Sequence, residues 1–363
     1  MKKQNALLIL VACFLATSVC FTSCKKDDDT DPVVTPIDTT DTIDSTALIT
    51  KDVFITCEGP FAGGTGTLTK VNLAAMSVQN NAFETVNGYP LGNIVQSVSV
   101  FNDRAYIVVN NAHKIEVVNA STLVSVGQIT GLTYPRNFLG ISDTKAYVTE
   151  WGTTQGKVMV IDLQTLAVTD SITCSYGTEC LIKKGNFVYV TNGGDFVNSS
   201  NSVTVIDTQT DQVTTTIPVG TNPTGIVTDA DGKIWVLCNG TFGNLDGSLV
   251  RISTLSNTAD LTIPTQLDYY QARLTTNKAK NKLYFSVGDK TFAHNISATT
   301  FDNNPWLTRG FYGLETDLKS NILYAADPRD YISNGWILRY DLNTSAVIDS
   351  FETGNVPGNF FFN

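Results

Sequence analysis

The chain has 363 residues, 42% of them apolar and 16% charged, with a formal net charge of −10. That acidity disfavours a nucleic-acid partner, and the low charged fraction suits a globular, β-rich secreted protein. Val, Ile, Thr and Tyr are used freely, and no window beyond the N-terminus reads as an amphipathic helix.

Residues 1–23 open with Lys2 and Lys3, continue in an apolar run from Ala6 to Phe21 and end at Thr22-Ser23. The run is short and broken by Thr17 and Ser18, so it reads as a signal peptide and not as a membrane span. Phe21-Thr22-Ser23-Cys24 resembles a bacterial lipobox with Phe where Leu is usual, which implies lipid attachment at Cys24. Cys13 and Cys20 are followed by more apolar sequence and fit that role less well. Lys25-Lys26-Asp27-Asp28-Asp29 resembles the acidic signal that sends Bacteroidetes lipoproteins to the cell surface; a plain soluble tether start is the alternative. Residues 24–50, with seven Asp against two Lys, are expected to be a disordered tether. Its reach as a coil is roughly 25–30 Å.

Residues 51–363 repeat one unit, clearest from Gly185 to Gly220. Phe187–Thr191, Val203–Asp207 and Val213–Val219 are rich in β-branched and aromatic residues, and Gly, Asn and Asp clusters break them apart. Asn222-Pro223-Thr224 then opens a further strand. An aromatic recurs in the second strand of every unit: Phe54, Tyr106, Tyr147, Tyr189, Trp235, Tyr284 and Tyr324, spaced 40 to 52 residues apart. An Asn or Asp ends the third strand at Asn72, Asn119, Asp162, Asp207 and Asp341, with Ser253 and Asn295 in the other two units. Seven four-stranded antiparallel units predict an all-β, seven-bladed β-propeller; a sandwich would not need seven copies of one unit.

The first unit offers three strands, around Val53–Thr56, Thr67–Asn72 and Val78–Thr85, and lacks an inner one. Pro357–Phe362 matches the Pro-led first strand at Pro223 and has no strands behind it, so it is expected to complete blade one and close the ring. Blades two to seven are expected near 94–133, 135–175, 177–219, 221–266, 269–308 and 311–354.

Strand direction sorts the loops. Those joining strands one to two and three to four are short polar turns such as Ser142–Lys145 and Ala230–Lys233. Those on the other face are long, Gly-rich and aromatic: Phe61, Trp151, Phe196, Phe242 and Tyr331 lie within blades, and Tyr134, Tyr176, Tyr269 or Tyr270, and Tyr312 between them. Asn93, Gln96, Arg136, Asn222, Gln271 and Arg309 stand among these rings. Aromatics around a concave mouth with scattered polar groups predict a small-molecule site; filling gaps between blades is the alternative for any single ring.

Cys57 and Cys238 fall three residues after their markers and are expected as buried thiols. Cys174 and Cys180 flank one interblade loop, as free thiols or a disulfide. His113 is expected to be solvated and His294 to pack; no zinc spacing, Gly-x-Ser-x-Gly elbow, Walker loop or dinucleotide fingerprint appears. Asp195, Asp246, Asp327 and Asp330 lie in long loops without a regular calcium ladder. No catalytic residue, cofactor or metal is expected.

Two resemblances narrow the reading. VYVTN, VIDT and TIPVGTNP resemble the YVTN repeat of YncE-like propellers. FITCEGPFAGGTGTL, GYPLGNIVQSV, KAYVTEW and the closing GNVPGNFFFN resemble the DUF5074 family of surface lipoproteins. That likeness implies an outer-membrane lipoprotein facing the cell exterior, and some members bind cobalamin beside a TonB-dependent transporter. The expected function is therefore non-catalytic capture of a bulky molecule, with a corrinoid favoured. The alternatives are a docking scaffold for another surface protein and a propeller hydrolase such as a lactonase.

Overall fold

A computed structural model describes residues 50–61, 63–152, 155–194, 198–241, 243–267 and 273–363. The β-branched and aromatic runs pair there as antiparallel ladders in seven sheets, six of four strands and one, in blade six, of three. Blade six keeps its fourth position with a single bridge, Thr291 to Leu307, made by two backbone hydrogen bonds of 3.0 Å. Blades two to seven run from Val95 to Ile129, Pro135 to Thr173, Thr178 to Pro218, Pro223 to Pro264, Leu274 to Asn295 and Gly313 to Asn355. Their first strands touch one after another around a closed circle. The molecule is the seven-bladed propeller that the repeat predicts.

The C-terminus closes it. Pro357–Phe362 pairs antiparallel with Asp52–Cys57, Val53 opposite Phe362 and Ile55 opposite Phe360. Phe360 and Phe362 both pack on Tyr324 of blade seven, so the last strand seals a blade and an interblade seam together. The other seams follow one plan. Each marker aromatic is buried, and the apolar clusters join neighbouring blades: Trp235 and Leu249 of blade five meet Leu283 and Phe285 of blade six. The second marker works in the turns. Asn119 Oδ1 accepts from the Ser121 and Thr122 amides at 3.1 and 3.0 Å, and Asp162 Oδ1 from Gln164 and Thr165 at 2.7 and 3.0 Å. A short acceptor ending strand three thus ties the hairpin to strand four.

One expected strand is corrected. Of Val78–Thr85, only Val78 and Gln79 pair, within the three-residue strand Ser77–Gln79; Ala82–Asn87 is a helix. Asn81, left-handed at φ 56°, turns the chain out of the sheet, and its Nδ2 donates to Glu84 Oε2 at 2.8 Å. The helix buries Ala82 and Phe83 against Leu91 and Val95, filling the seam between blades one and two. Six residues are too few to display a 3.6-residue period, which is why the sequence pattern conceals it.

Cys57 and Cys238 are free and buried, as are the thiol of Cys174 and, half-buried, that of Cys180. Burial pushes Cys238 up to about 12 and Cys180 to about 11, so neither supplies a thiolate near neutral pH. His294 is buried against Trp235, and burial lowers its pKa. No helix among the described residues is long and apolar enough to cross a membrane.

Candidate functional site

The site grows from a recurring irregularity where each first strand begins. In five blades the first strand carries an extra residue: Val95 and Ser97 pair with consecutive residues, so Gln96 is skipped. Thr224 and Gly358 are skipped in the same way, while Arg136-Asn137 and Glu179-Cys180 oppose a single residue each, Thr149 and Thr191. A bulge of this kind turns the extra side chain out of the sheet plane, and here it faces the hole at the centre of the ring. The residue before each of these strands is left-handed: Ile94 (φ 57°), Tyr134 (φ 52°), Gly177 (φ 72°), Asn222 (φ 54°) and Val356 (φ 53°). For β-branched Ile94 and Val356 that conformation is strained, so the interblade turn is held by its surroundings.

Cross-ties hold it. Ser97 Oγ donates to Arg136 O at 2.7 Å, Asn137 Nδ2 to Glu179 O at 3.0 Å, and the Val98 amide to Asn359 Oδ1 at 3.1 Å. Thr149 Oγ1 accepts from the Asn137 amide at 3.1 Å, and Thr191 Oγ1 from the Cys180 amide at 3.0 Å. The bulged backbone is thereby satisfied blade by blade.

What faces the axis is charged. Arg136 grips Glu179 with two parallel bonds, Nε to Oε2 at 2.9 Å and Nη2 to Oε1 at 2.7 Å. Its Nη1 donates to Gln96 Oε1, and its guanidinium lies over the Trp151 ring, 4.3 Å from the centroid. Trp151 Nε1 donates to Glu179 Oε2 at 2.8 Å. Blades two, three and four therefore share one closed network in which both charges are buried. Burial would push the Glu179 carboxyl up, but Arg136 in particular holds it below the usual range. Across the mouth, Glu58, in the turn after the second strand of blade one, is buried, and its Oε2 accepts from Tyr312 Oη at 3.0 Å. Burial raises its pKa, as it does that of Glu315, whose Oε1 accepts from Thr275 Oγ1 at 2.7 Å. Arg273 is half-buried, and its nearest carboxylate oxygen is Glu179 Oε1, at 4.0 Å. Burial works against its charge, while Cys180, Glu179, Tyr312 and Glu58 together hold its pKa above the ordinary value.

The residues singled out in the sequence divide into three groups. Arg136 and Trp151 form the centre of the network, and Gln96 joins them. Tyr312 stands beside Glu58 and meets Tyr331 edge to face at 5.9 Å, which leads from the axis to the rim. Phe61 and Tyr331 are rim residues, 84% and 53% exposed, and Tyr134 packs on His113, which is exposed as expected. Tyr176 is half-buried in the loop between blades three and four. Asn93 and Asn222 tie loops together, through bonds to Gly64 O at 3.2 Å and Gly240 O at 2.9 Å, and Arg309 pairs with Asp327 at 2.6 Å. Phe196, Phe242, Tyr269, Tyr270, Gln271 and the lipid-attachment residue Cys24 lie outside the described residues. Asp246 and Asp330 accept bonds from their own loop amides, and no group of acids, His or Cys that could hold a metal occurs among the described residues.

Glu179, Glu58, Arg273 and Glu315 are absent from the sequence reading. One signal was available. Gln96, Arg136, Glu179, Thr224 and Tyr312 each stand three residues before the partner of a marker aromatic, so aligning the first strands brings Glu179 into line with Arg136.

No curated protein matches the chain. Solved structures do. A quinonprotein alcohol dehydrogenase-like protein from Bacteroides thetaiotaomicron is 15% identical, with a TM-score of 0.64 over 86% of this chain and 78% of that one. Hydrazine synthase from Kuenenia stuttgartiensis is 16% identical, with a TM-score of 0.55 over 72% of this chain and 88% of that one. At such identities the likeness is one of fold alone. The family model for a domain of unknown function, DUF5074, matches residues 51–356, and the chain belongs to that family.

Proposed function

We propose that this chain is a non-catalytic binding module whose mouth takes a bulky, amide-fringed small molecule, a corrinoid, and passes it to a TonB-dependent outer-membrane transporter. The observation that carries the reading is the closed Arg136–Glu179–Trp151–Gln96 network. Each of these side chains comes from one of three blades and is fixed by the others before any ligand arrives, which lowers the ordering entropy that binding must overcome. A polar floor below exposed rings at Phe61 and Tyr331 suits a large disc with an apolar face and a polar fringe. Cys24, acylated, would hold the module at the outer face of the outer membrane, and the tether behind it would let the mouth turn toward a transporter.

Calorimetric titration of the protein with cyanocobalamin tests this. Heat should saturate at one equivalent, weaken with Trp151→Ala and stay unchanged with Lys319→Ala in a turn of the opposite face. Absence of binding at tens of micromolar would sink the corrinoid reading. It would favour a docking scaffold for another surface protein, the reading supported by the exposed apolar side chains Phe61 and Ile332. The anchor is tested separately: Cys24→Ala should release the protein from membranes, and protease added to whole cells should degrade it. Protection in whole cells but not in lysates would leave only a periplasmic anchor.

A further inference from the structure

The mouth also indicates which polar group it reads. Arg136 and Glu179 satisfy one another, so they leave little free for a ligand. Two groups are not so placed. Glu58 is buried, yet among the described residues its side chain accepts only the Tyr312 hydroxyl. Its other oxygen, Oε1, lies toward Gly358, 3.4 Å from where a β-carbon on that residue would stand. Gly358 occupies the bulge position held in other blades by Gln96, Arg136, Glu179 and Thr224, so blade one adds no side chain of its own there, and Glu58 Oε1 shares the space with the Tyr312 ring, whose Cε1 is also 3.4 Å from that point. Arg273 is the second group. Four-fifths of its side chain is covered, at 21% exposure, yet among the described residues its guanidinium donates no hydrogen bond, and its nearest carboxylate oxygen is Glu179 Oε1, at 4.0 Å. None of its nitrogens is among the fully buried side-chain atoms without a hydrogen-bond partner, so what is covered is the stem, while the donors reach solvent and are available to a ligand.

We infer that Glu58 and Arg273 form a carboxamide-reading pair, Glu58 accepting from an amide nitrogen of the ligand and Arg273 donating to an amide carbonyl. This rests on the reading of the mouth as a ligand site. Charge balance selects the class. A carboxylate or phosphate on the ligand would meet Arg273 but also face Glu58, Glu179 and Glu315. An ammonium would meet Glu58 but face Arg136 and Arg273. A neutral amide supplies the donor that Glu58 lacks and the acceptor that Arg273 lacks without adding a charge to a mouth already near balance.

Three probes of one shape separate these cases: benzamide, benzoate and benzylamine, titrated at millimolar concentration into the full chain. The Trp151 indole N–H signal, assigned by its loss in Trp151→Phe, reports binding by NMR because that indole bonds to Glu179 beside Arg273. Benzamide should shift the signal saturably, with benzoate and benzylamine at least tenfold weaker. Arg273→Gln and Glu58→Gln should each weaken benzamide several-fold. Arg273→Gln should leave the thermal midpoint unchanged, since that side chain donates no bond, so a folded control survives if Glu58→Gln destabilises. Equal binding of benzoate or benzylamine, no response to any probe, or benzamide binding untouched by both variants would overturn the pair. The corrinoid titration is independent: amide selectivity without cyanocobalamin binding would retain this site and discard the corrinoid, whereas cyanocobalamin binding unchanged by both variants would do the reverse.

Discussion

Two sets of positions recur around the ring, one in all seven blades and one in five, and they behave in opposite ways. The second-strand markers are alike: Phe54, Tyr106, Tyr147, Tyr189, Trp235, Tyr284 and Tyr324 are all aromatic and all buried in seams. The bulge position of the first strand is different in each blade that has it: Gln96, Arg136, Glu179, Thr224 and Gly358. Both sets sit at fixed backbone register, so geometry does not explain the contrast. Packing does, since every seam has the same shape to fill and one residue class fills it. At the mouth the side chains leave the ladder for a shared central space, where a ring of identical charges would repel itself. Repetition within one chain therefore marks what holds the fold, and its breakdown at constant register marks what the fold presents.

Removing the seal between the two ends should have the largest effect. Deletion of residues 356–363 strips blade one of its inner strand and takes Phe360 and Phe362 from Tyr324. Each large apolar side chain lost contributes about 3–5 kcal/mol, against a whole stability of about 5–15 kcal/mol. The truncated protein should fail to fold; a soluble product with an unchanged thermal midpoint would contradict the closed ring. Next comes a seam residue. Trp235→Ala empties a fully buried site and leaves Asp229 Oδ2 without the indole donor now at 2.9 Å. Chemical denaturation should show a loss of about 4 kcal/mol, with ligand affinity of the folded fraction unaltered.

Much of this was legible beforehand, and the limits have physical causes. The markers, the Asn and Asp turn acceptors and the C-terminal strand are local signals tied to seam and hairpin, so they show in one dimension. The helix Ala82–Asn87 is shorter than two periods. The site was only half legible because aromatic rings in long loops drew the reading outward, to Phe61 and Tyr331 on the rim. Glu58 opens the same loop as Phe61 and Arg273 stands just before a strand, and nothing in their neighbours' types shows that the two come near enough to act on each other's charge.

The network should respond to pairwise replacement. Glu179→Leu alone strands the buried Arg136 charge and should destabilise by about 3 kcal/mol, whereas Arg136→Met with Glu179→Leu should recover most of that loss. A double variant as unstable as the single one would mean the pair holds the fold, and the separation between seam and mouth would fail. The smallest expected effect is in pH dependence. Glu179, held low in the folded protein, contributes stability above the ordinary carboxyl range of about 4.3 that is lost as pH falls through its folded value. Glu58, raised by burial, has the opposite sign: its contribution is complete below that range and is lost as pH rises through its folded value. Glu58→Gln should therefore match the wild type in thermal midpoint near pH 4 and exceed it by pH 8. A difference that shrinks on the alkaline side would contradict the raised pKa.

The separation of mouth from seam is tested most directly by one calorimetric comparison, cyanocobalamin titrated at low temperature into wild type, Trp235→Ala and the Arg136→Met, Glu179→Leu double variant. The expected result is equal affinity for the first two and at least tenfold weaker binding by the third, in which Trp151 loses the Arg136 face and the Glu179 acceptor that hold it, although the third melts close to wild type and the second well below it. Binding that tracks the melting temperature instead, lost in Trp235→Ala and kept in the double variant, would contradict the assignment of the mouth as the site.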